Sequence, residues 1–222
     1  MQEQLRDSRR RGWCYAGVVP HGDSLWGQTD SVNERRGVEA LRFAADLRKL
    51  VVKPNPLAWI DRQGIERNYS PDARAELQCG DGVLIEMKPK GILKRNKALS
   101  SKYEDIGRFL QDKGKLRFGL MEWQWDSVFA RNVSRLSRYW EDEPGTVAVE
   151  AFEEIGGCEV TLGQLFERID RAQWRCVWAA LARQHLTADL YTAPLSPSSR
   201  VSLPGVIHED VCVGSLITTW WA

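Results

Sequence analysis

The chain has 222 residues, of which 43% are hydrophobic and 27% are charged. This composition is close to the globular average and excludes a disordered or fibrous protein. Its 31 basic and 30 acidic side chains leave a net charge of +1, which by itself indicates no class of partner. The charge is uneven along the chain, however, because residues 1–127 carry +5 and residues 128–222 carry −4. The first part of the chain therefore favours a polyanionic partner.

The sequence contains no pattern typical of export or of membrane insertion. Its five cysteines are scattered and form no CxxC pair, which argues against a disulfide framework or a zinc site. The charged residues 1–11 are not followed by the apolar segment of a signal peptide. No apolar run approaches the roughly 18 residues that a membrane span needs. We therefore expect a soluble, cytoplasmic protein with no membrane partner.

The N-terminal segment predicts an irregular arm and then a helix. Residues 1–30 are rich in Arg, Gly and Ser and show no sustained periodicity, so we expect no regular structure there. Ser31 and Glu34 have the spacing of a capping box, and apolar residues then recur at helical intervals. A helix is therefore predicted from Ser31, in a segment that Pro54 and Pro56 close.

Residues 57–130 complete a predicted α/β domain. Turn residues separate the extended runs, and the helix shows apolar side chains on one face. The predicted elements are strands at 57–61, up to Tyr69 and at 83–88, a helix at 101–113 and a strand at Leu116–Trp123. This order of elements predicts a mixed sheet with helices, ending near residue 130.

The last third of the chain predicts a small winged-helix domain. Thr161 with Gln164 forms a capping box, and Asp170 with Gln173 starts a second short helix soon afterwards. Two extended stretches then flank a Ser- and Pro-containing loop, as in a hairpin wing. The predicted domains are an irregular arm at 1–30, an α/β domain at 31–130 and a winged-helix domain with a C-terminal tail at 131–222.

Three residues in the middle of the chain point to metal-dependent chemistry. Alternate side chains of a strand share a face, so Glu86 and Lys88 lie together, opposite a wholly apolar face. If the segment ending at Asp72 pairs beside this strand, Asp72 and Glu86 supply oxygen ligands for one Mg²⁺. Lys88 would then orient a water or stabilise the transition state. Two structural roles would also explain these residues without catalysis. Asp72 could be an ordinary turn residue, and Glu86 and Lys88 could form a solvated ion pair.

Glu34 has two possible roles. As the third residue of the capping box it is explained by helix capping alone. If the helix points it toward the metal, it becomes a third acid of the site, and Glu39 competes for that role.

A basic segment follows the predicted metal site. Residues 88–102 contain six cations and no acid. A solvated surface would explain such a run, but beside a metal site it is better explained by contacts to DNA phosphates, which position a duplex without reading its sequence. The candidate DNA-binding residues are Lys90, Lys94, Arg95, Lys97 and Lys102.

The motifs Ser31-x-x-Glu34, Tyr69-Ser70-Pro71-Asp72 and Leu84-Ile85-Glu86-Met87-Lys88-Pro89 resemble the PD-(D/E)xK nuclease pattern. More narrowly, the chain resembles the TnsA endonuclease subunit of bacterial heteromeric transposases over residues 31–205. The resemblance implies a restriction-endonuclease-like core followed by a winged helix. It also implies a catalytic set of Glu34, Asp72, Glu86 and Lys88, whose three acids bind Mg²⁺, with Mn²⁺ as a possible substitute.

The activity implied by this resemblance is cleavage of the 5′ ends of a transposon during cut-and-paste DNA transposition. The implied partners are the double-stranded DNA of the transposon ends, a transposase subunit that cuts the 3′ ends and an AAA+ ATPase regulator. The ATPase is expected to bind the C-terminal domain. Two alternatives stay open: a stand-alone restriction- or defence-type nuclease of the same fold, and a non-enzymatic winged-helix DNA-binding regulator whose acids are structural.

Overall fold

A computed structural model describes residues 17–21, 25–111, 114, 116–124, 127–205 and 211–221. The elements up to residue 124 are β1 (Gly17–His21), β2 (Leu25–Thr29), α1 (Val32–Leu41), β3 (Leu47–Val52), β4 (Leu57–Ile60), β5 (Glu66–Tyr69), β6 (Ala73–Leu77), β7 (Gly82–Pro89), α2 (Ile92–Arg95), α3 (Lys97–Gln111) and β8 (Leu116–Trp123). The remaining elements are α4 (Val128–Leu136), α5 (Val147–Ile155), β9 (Val160–Thr161), α6 (Leu162–Arg168), α7 (Trp174–Ala182), β10 (Thr187–Ala188), β11 (Arg200–Ser202), α8 (Val213–Leu216) and β12 (Thr219–Trp221).

The chain divides into two units. The first lies within residues 1–124 and 212–222, and the second within residues 125–211. This division differs from the predicted one at the C-terminus, where residues 212–221 join the first unit instead of forming a tail on the second. The physical reason is strand pairing, because β12 runs antiparallel to β8.

The first unit is built on a five-stranded mixed sheet in the order β12-β8-β7-β6-β3. Strands β7 and β8 are parallel, and the other neighbouring pairs are antiparallel. A parallel pair needs a crossover connection, which α2 and α3 supply. The predicted α/β class with a mixed sheet is therefore confirmed.

Both faces of the central strand β7 are covered. Met87 lies against Gly37 of α1, where an added Cβ would stand 2.5 Å from the Met87 Sδ. On the opposite face, Leu84 belongs to a core cluster with Tyr103 and Ile106 of α3. Because α3 covers the face that carries residues 84 and 86, Glu86 is buried, whereas the sequence pattern predicted core packing only on the other face.

Besides β12, two strands of the sheet were not predicted. The structure ends α1 at Leu41, and residues 47–52 form the edge strand β3 instead of continuing the helical segment toward Pro54. Strand β6 follows Asp72 directly. Both strands carry charged side chains within the strand, which hides their apolar positions from a pattern search. In addition, β1 and β2 pair as a hairpin within the predicted irregular arm, while residues 1–16 lie outside the described part of the chain.

The second unit combines helices α4–α7 with a three-stranded antiparallel sheet in the order β10-β11-β9. The predicted capping box is present: the Thr161 Oγ1 accepts a hydrogen bond from the Gln164 N–H at 3.2 Å. Asp170 caps a short 3-10 helix ahead of α7, not α7 itself. Buried Asn132 holds the loop between β10 and β11, since its amide group bonds the backbone of Leu190, Ala193 and Leu195.

The C-terminal strand packs tightly on the first unit. An added Cβ at Gly107 of α3 would stand 2.2 Å from the Trp221 Cβ, so only glycine permits this approach. The Trp221 ring packs 5.4 Å from Tyr103 and 5.3 Å from Phe118, measured between ring centroids. Among the residues that the structure describes, no helix has both the length and the apolar character needed to cross a membrane.

Candidate active site

Asp72 and Glu86 stand opposite each other on neighbouring strands. Ala73 of β6 pairs with Ile85 of β7, which places the adjoining residues Asp72 and Glu86 in matching register. The expectation that the strand before Asp72 pairs with β7 is wrong, since β5 pairs with β4 and the strand after Asp72 pairs with β7. The two acids are 5% and 6% exposed, respectively, so both carboxylates lie inside the first unit.

The Asp72 carboxylate is held by three donors. Its Oδ2 accepts a hydrogen bond from the Met87 backbone N–H at 2.8 Å and lies 3.6 Å from the Lys88 Nζ. Its Oδ1 accepts a hydrogen bond from the Lys53 Nζ at 3.0 Å. The acid is therefore fixed by the backbone of β7 and by two ammonium groups, which excludes a simple turn role for this residue.

Two tyrosines and one lysine hold the Glu86 carboxylate. The Tyr103 hydroxyl of α3 donates to Oε1 at 2.9 Å, and the Tyr69 hydroxyl donates to Oε2. The Lys88 Nζ lies 2.6 Å from Oε1. A buried carboxylate with three partners has one orientation, so the site holds Glu86 in a fixed position before any ligand binds.

Glu34 takes part both in helix capping and in the acid cluster. Its backbone N–H donates to the Ser31 Oγ at 3.2 Å, which is one of the two bonds of the predicted capping box, but its carboxylate accepts from the N–H of Asp30 and not from that of Ser31. Its Oε2 accepts from the Asp30 N–H at 2.7 Å and lies 2.9 Å from the Lys53 Nζ. Glu34 is therefore linked to Asp72 through Lys53.

Glu39 lies elsewhere. Although it is buried, its carboxylate pairs with the neighbouring side chains of Arg35 at 3.0 Å and Arg36 at 2.7 Å. Of the two competing acids on α1, the structure thus brings Glu34 and not Glu39 to the Lys53 ammonium.

Lys53 is a residue of the site that the sequence did not reveal. It follows β3, has a φ of +50°, and donates its backbone N–H to the Asp72 carbonyl at 3.0 Å. Its position depends on the pairing of β3 with β6, which was not predicted. No motif surrounds Lys53. Only a correct prediction that β3 and β6 are paired strands would have placed it in the site.

The charges around the two acids fix the protonation states of their partners. Burial alone would lower the pKa of Lys53, but the carboxylates of Asp72 and Glu34 raise that pKa above its ordinary value. In the same way, burial would lower the pKa of Lys88, but the negative charges of Glu86 and Asp72 have the larger effect and raise it. Burial and the Glu86 charge raise the pKa values of Tyr69 and Tyr103. At neutral pH the site therefore contains two ammonium ions and two neutral hydroxyl donors.

Five exposed cations lie along the chain just after β7. They are Lys90, Lys94, Arg95, Lys97 and Lys102, and none of them forms an ion pair with another residue in the described ranges. By contrast, the exposed side chains of Arg62, Arg67 and Arg117 in the same unit are all paired with acids. Lys102 also lies near the site, since its Nζ is 4.9 Å from the centre of the Tyr69 ring. Lys90 donates a hydrogen bond to Gln124 and Arg95 donates to backbone carbonyls, but no acid of the described residues neutralises these five charges, so they can attract an anionic partner.

The donor set suits one Mg²⁺ ion. Within the described part of the chain, no three Asp, Glu, His or Cys side chains are grouped closely enough to hold a metal by themselves. Mg²⁺ does not need three, because it commonly takes one or two carboxylates and completes its shell with waters and phosphate oxygens. Asp72 and Glu86 provide two hard oxygen donors, and cationic ammonium groups already contact both. These residues therefore fit the ion that the sequence motif implies.

Replacing Tyr69 by Phe is expected to destabilise the first unit. The substitution removes a hydrogen bond to a buried carboxylate, and we expect the free energy of unfolding to fall by about 1–3 kcal/mol. Tyr103→Phe should have a similar effect, because it removes a donor to the other Glu86 oxygen. Urea denaturation measures the change.

The chain matches no protein-family model and no curated protein.

Proposed function

We propose that the chain is a Mg²⁺-dependent DNA endonuclease. The observation that carries the proposal is the convergence of Asp72 and Glu86, from neighbouring strands, on the single ammonium group of Lys88. This is the juxtaposition that the PD…ExK spacing requires. The unpaired cations that follow β7 supply a surface for the phosphate backbone of DNA.

Each residue of the site has a distinct task in phosphodiester hydrolysis. Asp72 and Glu86 would hold the ion, and Glu34 is the third candidate acid. When bound, Mg²⁺ supplies a Lewis acid that polarises the scissile phosphate and activates the attacking water. Lys88 directs its N–H groups toward the reacting phosphate or water and offsets the negative charge of the transition state. Tyr69 and Tyr103 hold the Glu86 carboxylate in place.

The order of elements supports a restriction-endonuclease-like core for the first unit. Helix α1 is followed by the antiparallel strands β3, β6 and β7, then by the crossover helix α3 and the parallel strand β8. The second unit supports a winged-helix assignment, since α5, α6 and α7 accompany the small sheet β10-β11-β9. The proposal assigns DNA cleavage to the first unit and partner docking to the second.

The narrower proposal is a subunit of a heteromeric transposase. It rests on the resemblance of three motifs to the TnsA endonucleases and on the order of the two units. The chain would then cleave the 5′ ends of a transposon in the cytoplasm, beside a transposase subunit that cuts the 3′ ends. The −4 charge of residues 128–222 favours a protein partner for the second unit, such as an AAA+ ATPase regulator.

The distances in the site disfavour the non-enzymatic alternative. Carboxylates on the order of 8 Å or more apart would be too far apart to share one ion, and such a separation would have favoured the regulator. Asp72 Oδ2 and Glu86 Oε1 lie 3.6 Å and 2.6 Å from the same Lys88 nitrogen, so their separation cannot exceed these two distances together.

One cleavage assay distinguishes the two nuclease hypotheses. The purified chain is incubated with Mg²⁺ and a duplex carrying candidate transposon ends, with and without a transposase subunit identified in a neighbouring reading frame. We expect 5′-strand cleavage at the transposon ends that depends on the partner subunit. Cleavage of plain duplex DNA by the chain alone would favour the stand-alone nuclease. Absence of cleavage under both conditions would contradict the nuclease proposal.

The exposed cations predict a measurable salt dependence of DNA binding. Changing Lys94, Arg95 and Lys97 together to Ala should reduce the slope of log K against log salt by about 0.9 for each phosphate that these side chains neutralise. Fluorescence anisotropy with a labelled duplex at several salt concentrations gives the slope. A control triple variant of the ion-paired Arg62, Arg67 and Arg117 should keep a slope close to that of wild type. Equal slopes for both triple variants would rule out the basic segment as the DNA-binding surface.

A further inference from the structure

Lys53 places its ammonium group among three acids. Its Nζ lies 2.9 Å from Glu34 Oε2, 3.0 Å from Asp72 Oδ1 and 3.4 Å from Asp30 Oδ2. The backbone of Lys53 is also fixed, because its N–H donates to the Asp72 carbonyl. The chain thus places one of its own ammonium groups on two of the acids assigned to the metal.

The formal charge of this cluster leaves room for a divalent ion. Four carboxylates, those of Asp30, Glu34, Asp72 and Glu86, face the ammonium groups of Lys53 and Lys88. With all of them ionised, the cluster carries a charge of −2. The acids therefore attract more positive charge than the two lysines supply.

An ammonium group and a metal ion cannot both use the same two oxygens. A Mg²⁺ ion bound to carboxylates lies about 2.0–2.1 Å from each ligand oxygen and needs near-octahedral geometry. The Lys53 Nζ already contacts Asp72 Oδ1 and Glu34 Oε2 at hydrogen-bonding distance. Glu34 can become a ligand together with Asp72 only after this ammonium group has moved, and Asp72 Oδ2 and Glu86 Oε1 likewise become free for the ion only when the Lys88 ammonium group shifts from them.

On the basis of the proposed nuclease function, we propose that Lys53 is an internal counter-cation that competes with the divalent ion for Glu34 and Asp72. Lys53 stabilises the acids while the metal is absent and lowers the affinity of the site for Mg²⁺. Its side chain is 31% exposed, so its long stem can swing toward solvent. Asp30, at 51% exposure, lies on the outer side of the cluster and can retain the displaced ammonium group.

The test is a comparison of metal binding and thermal unfolding in Lys53→Met and wild type. In Lys53→Met the apparent Kd for Mg²⁺ should fall by about tenfold, the factor that corresponds to removing one competing charge-assisted hydrogen bond. Isothermal titration calorimetry measures the Kd. The metal-free Tm should also fall, and saturating Mg²⁺ should restore it to the wild-type value. Lys53→Arg keeps the positive charge, so its Kd for Mg²⁺ should stay close to the wild-type value.

Lys49→Met is the matched control. Lys49 is exposed on β3, the strand that leads to Lys53, so this variant removes the same charge from a nearby position without touching the acids. Its Mg²⁺ affinity and Tm should match those of wild type. If Lys49→Met also bound Mg²⁺ tenfold more tightly, a general change in the electrostatic field of the protein would explain the effect. The proposed competition between Lys53 and Mg²⁺ would then be overturned.

The remaining outcomes separate this inference from the proposed function. If wild type binds Mg²⁺ and Lys53→Met binds it no more tightly, or if its lowered Tm is not restored by Mg²⁺, the competition is overturned and the nuclease proposal stands. If neither protein binds Mg²⁺, both fail. A Lys53→Met variant that folds only when Mg²⁺ is present supports the competition, because the metal then replaces the missing cation.

Discussion

Changing Asp72 to Asn, or Glu86 to Gln, is expected to reduce Mg²⁺-dependent DNA cleavage by about 10³-fold or more. Each change removes one anionic oxygen donor while preserving the shape of the side chain. The amide oxygen that remains is a weaker ligand for a hard divalent ion. Single-turnover cleavage of an end-labelled duplex measures the rate.

The control for these variants is Glu76→Gln. Glu76 lies on β6, the strand that follows Asp72, and its carboxylate pairs with Arg48 and Arg74 at the surface. This variant also exchanges a carboxylate for an amide, so it should cleave at the wild-type rate. Circular dichroism and the Tm confirm that all three variants are folded. Cleavage at the wild-type rate by folded Asp72→Asn and Glu86→Gln would refute the assigned site.

Changing Lys88 to Met is expected to slow the cleavage step by about 10²–10³-fold, the usual effect of removing one group that stabilises transition-state charge. Binding of DNA should change little, because the exposed cations that follow β7 remain. The prediction therefore separates rate from affinity: kcat falls while the Kd for the duplex stays close to wild type.

Single-turnover rates at saturating protein, together with anisotropy titrations, provide this separation for Lys88→Met. Lys49→Met again serves as the charge-matched control, since it lies on the same sheet at an exposed position. An equal loss of rate in Lys49→Met would show that net charge, not the position of Lys88, is responsible. A Lys88→Met variant with unchanged kcat would remove Lys88 from the catalytic set.

The central part of the site was predictable because it depends on local order. Glu86 and Lys88 share a face of one strand through the two-residue period, and a short turn separates that strand from the one that follows Asp72. Neither relation requires knowledge of distant contacts. The alternation along β7 was therefore sufficient to place Glu86 beside Lys88, whereas Asp72 joins them through β6, a strand that was not predicted.

The rest of the site could not be predicted because it depends on pairing between distant segments. Lys53 reaches Asp72 only because β3 pairs with β6, and charged side chains hide the apolar positions of both strands. Tyr103 reaches Glu86 only because α3 packs on the sheet. The helical pattern predicted which face of α3 is buried, but not that a carboxylate would lie beneath it.

The C-terminal strand shows the same limitation on a larger scale. Thr219–Trp221 pairs with β8 across about a hundred residues of intervening chain, and no local pattern indicates such a partner. A glycine within a helix, such as Gly107, does not by itself indicate that a residue such as Trp221 packs closely against it. Consequently, the sequence assigned these residues to a tail, and only the fold shows that they complete the sheet.

The most direct test of the site is a crystal structure of the protein soaked in Mn²⁺, with anomalous scattering recorded to locate the ion. We predict one strong anomalous peak that both the Asp72 and the Glu86 carboxylates ligate, beside the Lys88 ammonium group. An Asp72→Asn crystal treated in the same way should lose the peak. If wild-type crystals show no ion at these carboxylates, or only ions at other positions, the metal-dependent mechanism is contradicted.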